Sequence, residues 1–181
     1  DVFVSEENLI YEENKGWTVA KYLLGHERTN NAQVSSSKRA LSKIRKIAKL
    51  NINGNTSLNT DQRFMDKVAK CDIRLQALEY DLLKVISNNV QGISPGAEAN
   101  MLKIRGSEIQ QEITELVLEA SGYYAYPYQP NAMDKGSNEP LIGPSWSTTS
   151  ALKYFDTRKT TIYAGSTEIQ KNILAKMVLE L

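Results

Sequence analysis

Glu27 is the first residue that invites a chemical reading. It falls on a row spaced by three and four, Leu23, Glu27, Asn30, Val34, Ser37, Leu41, Ile44 and Ala48, apolar in its second half and largely polar in its first. A carboxylate on the inward row of a helix is costly to bury unless it is paired or faces a cavity. Two readings follow. Either the bundle is frayed there and Glu27 meets Arg28 or a solvent channel, or Glu27 is a general base in a ligand pocket, its basicity tuned by desolvation. Asn30 and Ser37 on the same row suit a wet or occupied cavity.

A second group is Tyr163-Ala164-Gly165-Ser166-Thr167-Glu168. A glycine turn that opens a helix presents free amides and the positive end of the helix dipole, suited to an anion or a polarised carbonyl. The plain alternative is a helix start capped by Ser166 or Thr167. Between Lys38 and Lys49 stand six basic residues and no acidic one, off the apolar row of Leu41, Ile44 and Ala48. That pattern reads as a solvated face. A nucleic-acid stripe brings more net charge than the +1 left by 22 basic and 21 acidic residues. One cysteine, Cys71, and one histidine, His26, exclude an internal disulfide, a Cys-rich zinc site and a His-dominated metal site. Cys71 sits in an apolar seam and His26 points off the row, so neither carries a mechanism.

The elements that must position these residues are helical. Lys15 to Leu50 lacks proline and reads as one long helix. Asn51 to Asn59 is a turn, and Thr60 or Asp61 caps a second helix to about Asn88, with Phe64, Val68, Cys71, Leu75, Leu78, Leu82 and Val85 inward. Ser94 and Pro95 suit the cap and first residue of a third helix reaching Ser121, with Gly122 as terminator. Its inward row is Leu102, Gly106, Ile109, Ile113, Leu116 and Ala120, and a glycine there implies a second backbone passing close by. From Tyr123 to Ser150 four of the five prolines and several aromatic residues suggest an ordered loop packed on the bundle. A short helix over Ala151 to Arg158, an extended stretch from Thr160 and a final helix with Ile169, Ile173, Met177 and Leu181 on one face complete the chain. Val2, Phe3 and Val4 suggest the end of a strand. The reading is an all-α antiparallel four-helix bundle with a long ordered loop and a short N-terminal strand remnant. Its 181 residues suffice for one domain with a real core, and no apolar run approaches the ~18 residues of a membrane span.

Three segments resemble one known family. Gly16-Trp17 with Tyr22-Leu23-Leu24-Gly25-His26-Glu27-Arg28 resembles the opening of the long helix in the C-terminal domain of acyl-CoA dehydrogenases. Ile162-Tyr163-Ala164-Gly165-Ser166-Thr167-Glu168-Ile169-Gln170 resembles the signature turn before that domain's last helix, and Arg105-Gly106-Ser107-Glu108-Ile109-Gln110-Gln111 fits the helix between them. The resemblance implies that residues 1–14 are the tail of a preceding β-domain with its linker and 15–181 the C-terminal bundle. It implies α,β-dehydrogenation of an acyl-CoA, as in fatty acid metabolism. A carboxylate takes the α-proton and FAD the β-hydride, while a backbone amide polarises the thioester carbonyl. In many members the base precedes the turn glycine. Here Ala164 stands there, whereas Glu27 before Arg28 matches the long-helix position that other members use. Glu27 is then the base. Arg28, Tyr163, Ala164 and Gly165 border the substrate, and Ser166 and Glu168 contact FAD.

The family pattern is broken at two places. The region Leu50-Asn51-Ile52-Asn53-Gly54-Asn55 lacks the Arg-x-x-Phe-Gly segment that reaches flavin across subunits, and Glu119-Ala120-Ser121-Gly122-Tyr123 replaces Gln-x-x-Gly-Gly. The implication is a divergent subfamily. Further implied are a dimer or tetramer built through the bundle, electron-transfer flavoprotein or a similar acceptor, a cytoplasmic or mitochondrial-matrix location, and no metal or nucleic acid. A piece of this length is expected neither to retain FAD nor to work alone. The competing function is a non-catalytic helical assembly or oligomerisation module.

Overall fold

The computed structural model describes residues 1–50, 57–93, 96–134 and 136–180, with the backbone but not the side chains of 25, 26 and 28. Six helices follow in order: α1 (Gly16–Asn31), α2 (Val34–Ile47), α3 (Gln62–Val90), α4 (Glu98–Ser121), α5 (Ser150–Thr157) and α6 (Thr167–Leu179). No strand occurs among the described residues. Val2, Phe3 and Val4 are exposed and unpaired, and a strand needs a neighbour for its N–H and C=O groups that none of the described residues supplies. The strand remnant expected there is therefore absent.

The bundle runs antiparallel, and its ion pairs report the register. Lys67 meets Glu119, Arg74 meets both Glu108 and Glu112, and Lys84 meets Glu98, so α3 ascends as α4 descends. Lys38–Glu79 and Arg45–Asp72 set α2 against α3 in the same sense. These pairs are solvent-exposed and contribute little energy each. The core beneath them holds the fold: Leu41, Ile44, Phe64, Val68, Leu75, Leu78, Leu102, Ile109 and Leu116 are essentially sealed. α3 begins where Asp61 accepts hydrogen bonds from Arg63 N (2.9 Å) and Phe64 N (3.2 Å), the expected cap. α4 packs against every other helix, which explains why its buried residues, from Ala99 through Ile104 to Ser121, surround more than one face. The expected Ser94-Pro95 cap lies outside the described residues.

The single long first helix is not observed. It breaks at Ala32–Gln33, where Gln33 turns left-handed (φ 49°). Gly106 of α4 lies against the break: a Cβ there would stand 2.8 Å from Ala32 Cα and 2.9 Å from the Asn31 carbonyl oxygen. The break is tied off locally, because Gln33 Nε2 donates to the Asn30 carbonyl and Ser36 Oγ to the Gln33 carbonyl. Gly106 therefore does mark a close backbone approach, and the backbone is this break.

The long loop is ordered by its own bonds. Gln129 accepts from Ile142 N (2.8 Å) and donates to the Ile142 carbonyl (3.3 Å), a side chain standing in for a strand partner. Tyr124 packs on Gly143 and Trp146 on the core. Tyr123, Tyr126 and Tyr128 instead point to solvent, because the loop is closed by these internal bonds and needs no cover from them. At the far end Thr160 and Thr161 form a 3-10 turn with Arg158 and Lys159, not the extended stretch expected. On α6 the one fully buried residue among those described is Gln170; of the expected apolar face Ile173 is partly buried, Met177 meets Asn100 of α4 through its sulfur (3.8 Å) yet is half exposed, and Ile169 is half exposed.

Candidate active-site turn and helix

The turn ahead of α6 is built by its neighbours. Gln111, mid-α4, places its Nε2 within 3.5 Å of the Thr157 and Arg158 carbonyls and the Thr160 and Thr161 hydroxyls. Arg158 returns Nη2 bonds to the Gln111 carbonyl and Thr114 Oγ1, both 3.1 Å, and stacks over Tyr154 at 4.3 Å. This clamp fixes the chain just before residues 162–166. Lys159 O then accepts from Ile162 N (2.9 Å) and Tyr163 N (3.2 Å). Ala164 (φ 54°) and Gly165 (φ 85°) are both left-handed, and Gln170 Nε2 holds the Ala164 carbonyl at 3.2 Å. A Cβ at Gly165 would strike the Gln170 amide, so glycine is required there twice over.

The turn leaves donors unclaimed. The N–H groups of Ala164 and Gly165 have no acceptor among the described residues. They stand beside the N-terminus of α6, where Ser166 caps by accepting from Ile169 N at 3.4 Å. Two adjacent free amides suit an oxygen carrying partial negative charge. Tyr163 is half exposed beside them. Glu168 is exposed, and its carboxyl is held below the usual range by its own backbone N–H, then by the Ser166 hydroxyl, with Lys171 and Lys103 adding charge. It stays an anionic acceptor at neutral pH, the chemistry that ribose hydroxyls or an adenine amino group require. Ser166 is committed to α6 and to Glu168, so its hydroxyl serves any ligand chiefly by orienting that carboxylate.

Glu27 does not lie on a buried row. It is solvent-exposed, as are Leu23 and Asn30, whereas Val34 and Ser37 are buried. The left-handed Gln33 resets the phase between α1 and α2, so a row counted through the break joins faces that point in different directions. Leu23 and Leu24, one turn before Glu27, are exposed apolar neighbours of the carboxylate, and Trp17 and Tyr22 are exposed elsewhere on the same helix. The side chains of Arg28 and His26 lie outside the described residues, as does the segment 51–56, which covers most of the region lacking the cross-subunit flavin motif.

Ala164, Gly165 and Ser166 thus lie in one turn, with Glu168 and Gln170 at the start of α6, while α1, which carries Glu27, packs on α4 as α6 does. Gln111, Arg158 and Gln170 position the turn, a role the sequence does not assign to any of them. Gln111 and Gln170 stand at the ends of two segments that carry the family resemblance, which is the signal that could have found them, and for Arg158 there was none. Among the described residues no cluster of three or more His, Cys, Asp or Glu could hold a metal ion. No helix there is long and apolar enough to cross a membrane.

Residues 14–179 match the family model for the acyl-CoA dehydrogenase C-terminal domain. Butyryl-CoA dehydrogenase from Megasphaera elsdenii is 22% identical, with a TM-score of 0.71 over 97% of this chain and 42% of its own. A glutaryl-CoA dehydrogenase in complex with glutaryl-CoA (19%, TM-score 0.74) is covered over 98% of this chain and 41% of its own. The prolyl acyl carrier protein oxidase AnaB (22%, TM-score 0.74) gives 98% and 43%. At these identities the likeness shows the fold, and the chain spans less than half the length of the structures it matches. No curated protein sequence matches it. The family match covers nearly the whole chain: the chain belongs to the acyl-CoA dehydrogenase family, and residues 14–179 form that family's C-terminal helical domain.

Proposed function

We propose that this domain serves FAD-dependent α,β-dehydrogenation of an acyl-CoA thioester, with Glu27 as the base that removes the α-proton. The observation that carries the reading is the pair of unclaimed N–H groups at Ala164 and Gly165. They can donate hydrogen bonds to the thioester carbonyl oxygen and stabilise the charge that grows on it as the α-proton leaves. Ala164 has no side chain able to take that proton, and Glu27 offers an exposed carboxylate one turn after the exposed Leu23 and Leu24. Tyr163, Gly165 and Arg28 would border the acyl group. Ser166 and Glu168 would hold FAD, which when bound accepts the β-hydrogen as hydride. Catalysis would need the further parts that the longer relatives possess, since the proposed base is solvent-exposed within this chain. Electrons would pass on to electron-transfer flavoprotein or a similar acceptor, and the assembly would be a dimer or tetramer.

A second reading, a non-catalytic assembly module, draws on the outer row of α3, where Ile73, Tyr80, Leu83 and Ile86 are exposed. One experiment separates the two: flavin reduction by a panel of acyl-CoAs in protein carrying the flavin-bearing domains, with Glu27 and with Glu27→Gln. The expected outcome is an unchanged flavin spectrum and bleaching slowed by about 10²–10⁴-fold, the usual worth of a positioned base. Equal bleaching by both proteins would place the base elsewhere, and none by the unsubstituted protein would favour assembly.

A further inference from the structure

The six cations of α2 and its C-terminal end divide into two sets. Lys38 and Arg45 lie on the flank toward α3 and are paired with Glu79 and Asp72. Arg39, Lys43 and Lys46, at i, i+4 and i+7, share the outer face, are exposed, and have no acidic partner among the described residues. Lys49 follows in the same condition. The helix dipole accounts for a cation in the last turn such as Lys46. It does not account for Arg39 or Lys43. With a net charge of +1 over the chain, this face is a local segregation of charge, not a share of a basic protein.

The same face borders a cavity. Lys43, with Lys153 of α5, lines a space of about 140 Å³ whose apolar wall includes Ala40, Ile113, Val117 and Trp146. Lys153 also lacks an acidic partner among the described residues. A cavity of this size takes one side chain, not a cofactor.

We propose that the outer face of α2 and this cavity together form a docking surface for an acidic protein helix, one that carries carboxylates at i, i+4 and i+7 and an apolar side chain seated in the cavity. Seven residues of helix span about 10 Å, so Arg39 to Lys46 matches a helical carboxylate row in pitch. The anchor in the cavity would supply affinity, and the cations register and encounter rate. A small anion would be served by Lys43 and Lys153 alone and leaves the rest of the row unused. A phosphate backbone would use the cations and leave the cavity empty. This inference does not rest on the dehydrogenation reading.

The test is fluorescence anisotropy at about 0.1 M salt, where surface charges act over about 10 Å. The probe is a labelled 18-residue helical peptide bearing Glu at i, i+4 and i+7 and one Leu. Lys43→Glu with Lys153→Glu is expected to weaken binding at least tenfold, and Lys70→Glu on α3 less than twofold. A peptide with Lys in place of its central Glu, the one opposite position 43, should recover binding to the doubly substituted chain, which a misfolded protein would not permit. Replacing the peptide's Leu by Ser should cost at least fivefold. The proposal is overturned if the Ser peptide binds as well as the Leu peptide, if a 20-base-pair DNA duplex binds more tightly than either, or if no peptide binding is detected.

Discussion

Lys103 shows what a single side chain costs this fold. It is 2% exposed on α4, and its Nζ has no hydrogen-bond partner. Asn100 Oδ1 and Gln170 Oε1, in the same α4–α6 seam, are also unpartnered. Leaving a buried polar group unsatisfied costs about 1–3 kcal/mol. Burial pushes the Lys103 pKa below its ordinary value, with Glu168 opposing. The folded state therefore releases its proton at lower pH than the unfolded chain does, near 10.4. The penalty is complete below the folded pKa and fades as pH rises toward the unfolded value. Lys103→Met, similar in length and apolar, is expected to raise stability by about 1–3 kcal/mol near neutral pH. Urea unfolding at pH 7 and pH 10 checks this: the gain should shrink at pH 10, and a loss at pH 7 would contradict it.

At the scale of elements, the junction between α1 and α2 is decided by α4. Gly106 admits the Ala32 backbone, and Gln110 Nε2 reaches the Asn31 carbonyl at 3.5 Å. Gly106→Ala would drive a methyl group into backbone that cannot swing aside, costing about 1–3 kcal/mol as other overpacked sites do. Gly16→Ala, with nothing within 4 Å of the added carbon, should leave stability unchanged or slightly raised. Parallel urea titrations of the two variants make the comparison. The helices themselves were legible wherever one face repeats without interruption: Phe64 through Val85 and Leu102 through Ala120 are inward as their spacing requires. The row through Leu23, Glu27 and Asn30 misled because a repeat counted along the chain assumes an unbroken helix. The face of Ile169, Ile173 and Met177 is only partly covered because α6 meets α4 along a seam that includes the polar Asn100, Lys103 and Gln170.

At the scale of the whole molecule, Cys71 reports how the bundle opens. The thiol is fully buried, and its pKa is pushed up to about 12, first by burial and then by Glu112. Only the thiolate attacks a disulfide reagent, so the folded protein at pH 8 is inert at this position. Labelling by an aromatic disulfide should proceed only through unfolding, with a rate that rises in urea in step with loss of helical circular dichroism. Fast labelling without denaturant would mean that the α3–α4 core opens locally.

Local chemistry written along the chain determined much of this protein: the Asp61 cap, the apolar rows of α3 and α4, the glycine-bearing turn before α6, and a resemblance sufficient to name the family. Each depends on residues within a few positions of one another, which is the range over which helix periodicity and capping act. Tertiary structure decided the rest. Gln33 turns left-handed where Gly106 receives the adjoining backbone, Gln111 and Arg158 clamp the approach to Ala164 from another helix, and Glu27 faces outward once the break resets its phase. These outcomes depend on contacts between residues some 45 to 80 positions apart, and no local pattern encodes which backbone will arrive at a given glycine.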